Sequence, residues 1–340
     1  MFLRQFQKMS KRHHLFSCND LSIEGIDYIL RRSEFFEKSD INPSFKYPGY
    51  DAPTSLRGSV LMNAFFEPST RTSLSFEAAM KKLGGNVINL NVGASSKHKG
   101  ESDEDTIKSI QNYGDIMVIR HPHKEFIEKA CNDIKIPVIS GGDGNGENPT
   151  QALVDLYTIY KHSKDFFINQ TSFLNILIIG DIKHSRSIHS LVDILKHYPR
   201  IKIDLLPYYD REPDDNFIYN ISLQHNQQYD DIVKLREDCD FSSYDVIYTT
   251  RLQKERENIS NNNSNDIVID KKFMNLLKED AIVMHPLPRN HEINTEIDYD
   301  NRCIYFEQIK NSLYVRMTVL DLYTSFVKYK DMKTDLFNLH

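Results

Sequence analysis

The segment Glu67-Pro68-Ser69-Thr70-Arg71-Thr72-Ser73 joins an apolar run ending at Phe66 to an amphipathic stretch whose apolar positions are Leu74, Phe76, Ala78, Ala79, Met80 and Leu83. Strand, polar turn and helix in that order make an anion site. A helix start carries unpaired N–H groups and the positive end of the helix dipole, and the hydroxyls of Ser69, Thr70 and Thr72 and the Arg71 guanidinium would converge on it. Phosphate is the natural occupant. The same serine and threonines would also serve as plain helix caps, a role that does not require Arg71. Two more arginines, Arg186 and Arg251, fall near the predicted ends of successive strands. Open α/β sheets bind ligands there, although a single arginine is most often a solvated surface residue or half of a weak ion pair.

Short β-branched runs alternate with longer amphipathic ones, which predicts an α/β protein of parallel sheets flanked by helices. Strands are predicted over Ser59–Phe66, Val87–Leu90, Asp115–Ile119 and Pro137–Ser140, and helices over Ser69–Leu83, Asp103–Tyr113 and Lys124–Asn132. A second series has strands over Asn175–Ile179, Ile201–Leu206, Asp245–Thr249, Ala281–Met284 and Cys303–Phe306, with helices over Ser187–Tyr198 and Asp270–Leu277. Between the series, Leu153, Leu156, Tyr157 and Tyr160 fall at helical spacing, so 150–164 is predicted as a helix linking two domains. Leu313, Met317, Leu320, Tyr323 and Val327 share one face of a last helix, expected to pack back on the first domain. There is no repeat of fixed period, and the polar stretch 258–265 reads as a surface-loop insertion.

The length of 340 residues suits two domains at about 150 residues each. With 42 Lys and Arg against 48 Asp and Glu, the net charge of -6 argues against nucleic acid or an anionic membrane as partner. The apolar runs, such as Leu174–Ile179, fall far short of the ~20 residues that span a bilayer. Cys18, Cys131, Cys239 and Cys303 form no C-x-x-C pair, so a disulfide framework or structural zinc site is not indicated, and a reducing compartment is expected. Gly141-Gly142-Asp143-Gly144 lacks the G-x-G-x-x-G spacing of a dinucleotide site. The basic residues 1–14 lack the apolar core of a secretory signal. They read as a disordered terminus in a cytoplasmic protein, or as the remnant of an organellar targeting segment.

FFEPSTRTSLSFEAAMKKLG resembles the carbamoyl-phosphate signature of the aspartate/ornithine carbamoyltransferase family. GASSKHKGESDEDT resembles that family's mobile loop, VIRHP its next phosphate-side arginine, and GDGNGENPTQALVDLYTI its linking helix. GDIKHSRSIHSL and TTRLQKER are similar to its amino-acid-side arginine segments, and HPLPRNHEI to its closing loop. The matches run in order from about Leu15 to Val327. The resemblance implies a carbamoyl-phosphate domain over 15–149 plus 308–335 and an aspartate domain over 165–307. Ser69, Thr70, Arg71 and Thr72 would hold the phosphate, Arg120 would reach phosphate and carbonyl, and Gln151 would bind the carbamoyl amide. Arg186 would pair with the α-carboxylate of aspartate and Arg251 with its β-carboxylate, with Gln253 beside them; Pro286 and Leu287 carbonyls would orient the amine. Glu67, Glu255 and Arg256 would form positioning ion pairs as the domains close. Family members are trimers, so Ser95 and Lys99 would complete a neighbour's site. The resemblance implies no metal or cofactor, and the sequence assigns no regulatory chain.

The branch implied is the aspartate one, an early step of pyrimidine synthesis, because ornithine enzymes typically show H-C-L-P where this chain reads His285-Pro286-Leu287-Pro288. One departure bears on chemistry. The family's H-P-T-Q, whose histidine donates to the carbamoyl oxygen, is here Asn148-Pro149-Thr150-Gln151. An asparagine amide is also a donor but is shorter than imidazole. A transcarbamoylase with another acceptor, such as ornithine, and a chemically impaired ligand-binding chain therefore stand as alternatives.

Overall fold

The alternation of apolar runs becomes two parallel sheets in the computed structural model, which describes residues 2–42, 55–90, 100–144, 146–169, 172–253 and 267–338. The chain divides into two compact units, one of Met1–Val154 with Asn311–His340 and one of Asp155–Lys310.

In the first unit, β1 (Val60–Phe65), β2 (Asn86–Asn89), β3 (Ile116–His121) and β4 (Val138–Asp143) pair in the order β2-β1-β3-β4. Parallel neighbours need crossovers, supplied here by α3 (Thr70–Lys82), α4 (Asp103–Ile110) and α5 (Phe126–Ala130). Met62, Ala64, Met117, Ile119 and Val138 of the strands pack with Ile107 and Ile110 of α4 and Ile127 of α5.

The start of the chain is not the loose terminus expected. Residues Phe2–Met9 form α1, where Phe6 is 1% exposed, meets Tyr323 edge-on and stacks on Phe326 with centroids 3.9 Å apart. Leu15 bonds Val138 and Ser140 alongside β4. These partners lie far along the chain, so no local pattern in 1–14 announces them. A second helix that the periodicity reading did not place, α2 (Ile23–Ile41), is capped by Ser22, which accepts the Gly25 N–H at 3.1 Å. The C-terminal α11 (Tyr305–Asn338) packs back on this unit as expected. Buried Arg32 of α2 donates to Asp321 at 2.9 and 3.2 Å, and Ser33 bonds Thr318 at 3.0 Å. Breaking such a buried pair costs about 3–5 kcal/mol, so this seam fixes where α11 lies.

In the second unit, β5 (Leu174–Gly180), β6 (Ile201–Pro207), β7 (Val246–Thr249) and β8 (Ile282–Met284) pair in the order β6-β5-β7-β8. The near-continuous apolar run of β5 matches a strand covered on both faces. Its helices include α7 (Lys164–Asn169), α8 (Arg186–Leu195), α9 (Asp215–His225) and α10 (Lys271–Met274). The linking helix α6 spans Pro149–His162 and passes from the first unit into the second. The strand expected at Cys303–Phe306 is absent: Cys303 makes a single bridge to Val283, and α11 begins at Tyr305. With β8 only three residues long, the aromatic run continues as helix instead of pairing further.

Both sheets wind alike. The first strand crosses to one side and the third to the other, which places a topological switch point between β1 and β3 and another between β5 and β7. No helix among the described residues is long and apolar enough to cross a membrane.

Candidate active site

At the first switch point, Phe65 pairs with Arg120, and the Phe66 N–H donates to the Arg120 carbonyl at 2.8 Å. The chain thus leaves β1 beside Arg120 and turns into α3. Ser69 takes the N-cap position, but its hydroxyl makes no capping hydrogen bond, and the first turn carries no acidic residue. The amides of Thr70, Arg71 and Thr72 precede the first intrahelical bond, from Ser73 N–H to the Ser69 carbonyl at 3.1 Å. An uncapped, acid-free helix start with hydroxyls and a guanidinium favours the anion cradle over the plain cap. Asn63 of β1 fixes its place, donating to Ser73 Oγ at 3.0 Å and Asn89 Oδ1 at 2.8 Å.

Arg120 extends over the end of its own sheet. One guanidinium nitrogen lies 2.5 Å from Glu67, and another donates to the Gly141 carbonyl of β4 at 3.2 Å. Burial lowers its pKa and Glu67 opposes that shift, yet a guanidinium stays charged under either influence. Glu67, expected in closure ion pairs, is engaged by Arg120 within its own unit. On the β4 side, Asn148 caps α6. Its Oδ1 accepts the Gln151 N–H at 3.3 Å and the Thr150 hydroxyl at 3.4 Å. Pro149 takes the first helical position, where its missing N–H is no loss, and Gln151 follows on the same turn.

The second switch point is built on Gly180 and Asp181. Gly180 ends β5 at φ +130, and a Cβ there would lie 2.5 Å from the Thr250 carbonyl, so only glycine lets the two loops approach. Buried Asp181 then ties them together. Its Oδ2 accepts the Gln253 N–H at 2.9 Å, while Oδ1 accepts the His184 N–H at 3.2 Å. Arg186 opens α8 on one side of this tie, and Arg251 follows β7 on the other, its Nη1 bonding the Leu252 carbonyl at 3.2 Å. Two guanidinium forks at adjacent strand ends suit a ligand with two carboxylates.

Beyond β8 the chain turns through His285-Pro286-Leu287-Pro288, with Leu287 in the left-handed region at φ +51. Arg289 grips Asp298 through both guanidinium nitrogens, one at 2.6 Å, and reaches the Tyr305 hydroxyl at 3.1 Å. The Asp298 bond raises the Arg289 pKa against the opposing effect of burial.

Ser69, Thr70, Arg71, Thr72, Arg120, Asn148 and Gln151 belong to the first unit, and Arg186, Arg251, Gln253, Pro286 and Leu287 to the second. Ser95, Lys99, Glu255 and Arg256 lie outside the described residues, as does 258–265. Sequence reasoning passed over Asp181, His285 and Glu292. Their signals were slight: an acid after a strand-ending glycine, a histidine before proline, and an acid seven residues on.

Two family models match. The carbamoyl-phosphate-binding domain of aspartate/ornithine carbamoyltransferase covers residues 13–161, and the Asp/Orn-binding domain of the same family covers 173–323. The chain belongs to this family. Among carbamoyltransferases it is 40% identical to the aspartate carbamoyltransferase catalytic subunit of Archaeoglobus fulgidus over 90% of this chain and 97% of that one. It is 37% identical to the chloroplastic aspartate carbamoyltransferase of Arabidopsis thaliana, over 78% of this chain and 68% of that protein. The solved aspartate transcarbamoylase of Trypanosoma cruzi in complex with carbamoyl aspartate and phosphate matches with a TM-score of 0.78 at 33% identity, covering 91% of this chain and 94% of that one. The parallel sheets and their paired switch points are thus a carbamoyltransferase fold.

Proposed function

We propose that the chain transfers the carbamoyl group of carbamoyl phosphate to the amine of L-aspartate, giving N-carbamoyl-L-aspartate and phosphate in pyrimidine synthesis. The observation that carries this reading is that one unit holds an uncapped, acid-free helix start beside Arg120, while the other holds Arg186 and Arg251 on two loops that Asp181 ties together. The first suits a phosphate and the second a dicarboxylate. Thr72 and Arg120 polarise the carbonyl, the amine nitrogen bonds to its carbon, the C–O bond to phosphate breaks, and the leaving phosphate takes the amine proton. Stabilising the developing charge with fixed donors is the main catalytic demand. A solved aspartate transcarbamoylase of Trypanosoma cruzi in complex with carbamoyl phosphate and aspartate supports the choice of these two substrates.

Asn148 decides whether this chain works at full rate. Its Oδ1 accepts from Thr150 and Gln151, and an asparagine amide keeps the donor chemistry that the family histidine supplies. The expected result is that the native chain carbamoylates aspartate and that Asn148→His accelerates it by less than about tenfold, measured as steady-state kcat beside binding of a phosphonate bisubstrate analogue. Equal analogue binding with a native turnover roughly 10²–10³-fold slower than the variant would instead make this an impaired, ligand-binding chain.

The same reading makes the protein a homotrimer in which Ser95 and Lys99 act in the neighbour's site. Mixing Lys99→Ala with Arg71→Ala chains should then restore some active sites from inactive parents. No recovery after demonstrated chain exchange would exclude sharing. The four free cysteines suit a reducing compartment.

A further inference from the structure

The Pro286 and Leu287 carbonyls can orient an amine only if the turn carrying them is held, and one buried side chain holds it. His285, 1% exposed, accepts the Leu287 N–H on Nδ1 at 2.8 Å. An accepting Nδ1 carries no proton, so the proton sits on Nε2, which faces Glu292 Oε1 at 2.9 Å. Glu292 is itself fully buried and anchored: the same Oε1 accepts the Asn290 N–H at 2.9 Å, and its carbonyl accepts the Ile269 N–H at 2.9 Å. Leu287 adopts φ +51, which costs a residue with a side chain about 1 kcal/mol or more, and the bond to His285 offsets that cost.

The same device recurs in the other unit. His121, which also precedes a proline at a strand end, accepts the His123 N–H on Nδ1 at 3.2 Å and faces Asp103 Oδ2 with Nε2 at 3.3 Å. It stands next to Arg120 as His285 stands next to the closing turn. Recurrence of one hydrogen-bond pattern at two strand ends, with different carboxylates, marks a turn-fixing arrangement.

We propose that His285 is a positioning residue for the acceptor amine: Glu292 locks it in the Nε2–H tautomer, and its Nδ1 holds the Leu287 N–H so that the Pro286 and Leu287 carbonyls are aimed. This rests on the transfer reaction proposed above. Burial keeps the imidazole neutral, assisted by Arg289 and Arg251 and opposed by Glu292.

Two variants of the full chain separate positioning from packing. The asparagine Oδ1 occupies the place of imidazole Nδ1, whereas a glutamine amide reaches only the place of Nε2. His285→Gln should lower kcat/KM for aspartate roughly 10- to 100-fold, with the KM for carbamoyl phosphate unchanged within about twofold. His285→Asn should recover most of that loss at a matched Tm. Equal losses in both variants at matched Tm, or a parallel rise in the carbamoyl phosphate KM, would overturn the proposal. If either variant fails to fold, the 15N shifts of the His285 ring in the unaltered protein decide: an unprotonated Nδ1 and protonated Nε2 are required, and a protonated Nδ1 at neutral pH refutes it. The ring shifts are read without turnover, so failure of the tautomer is distinguishable from failure of the assigned reaction, which would show as no carbamoylation by the unaltered chain.

Discussion

Arg120→Ala is expected to lower kcat/KM for carbamoyl transfer by roughly 10³-fold, the upper end of what removing one oxyanion donor costs. The reason for the upper end is local. The guanidinium sits where β1, β3 and β4 finish, beside the helix start proposed to receive the phosphate, and in the proposed pose it reaches both phosphate and carbonyl. Its removal also takes away the cation that lies 2.5 Å from Glu67, leaving that carboxylate less neutralised beside a dianionic substrate. The defect should appear mainly in carbamoyl phosphate binding and in kcat, measured by initial rates and by direct titration with carbamoyl phosphate. Glu67 keeps 26% of its side-chain surface exposed, so the accompanying loss of stability should be about 1–2 kcal/mol, less than for a fully buried pair. An Arg120→Ala chain with near-native turnover would remove Arg120 from the chemistry.

Arg251→Ala should produce the opposite signature. Losing one fork of a desolvated carboxylate pair costs about 2–5 kcal/mol, so kcat/KM for aspartate should fall roughly 30- to several thousand-fold. Carbamoyl phosphate binding should stay within about twofold, because Arg251 belongs to the second unit and the phosphate cradle to the first. Arg251→Lys should not restore function, since a point charge cannot reproduce the planar fork. Titration of each variant with carbamoyl phosphate alone checks the separation. If Arg251→Ala weakens both substrates equally, its effect is on folding and the carboxylate role is wrong.

Much of this protein was readable from residue pattern because parallel strands buried on both faces are short apolar runs, as β1, β3, β5 and β7 are. The failures have specific causes. Cys303–Phe306 has the composition of a strand, but a three-residue β8 offers nothing to pair with beyond one bridge, and the helical continuation from Tyr305 prevails. Phe6 looks like an isolated aromatic in a basic tail until Tyr323 and Phe326 are brought against it. The arginines of the site were legible because motifs and strand ends point at them. Asp181, His285 and Glu292 were not, because they act on backbone N–H groups or on one another, and such partners leave no spacing signature.

The two sheets share one winding order although the sequence contains no repeat. On the proposed assignment, donor handling and acceptor choice therefore reside on separate units of like winding, so a change in one need not alter the strand order that carries the other. On that assignment, the loops at 180–186, 250–253 and 285–293 are where a different amine would be accommodated, while the helix start after β1 would keep the leaving group.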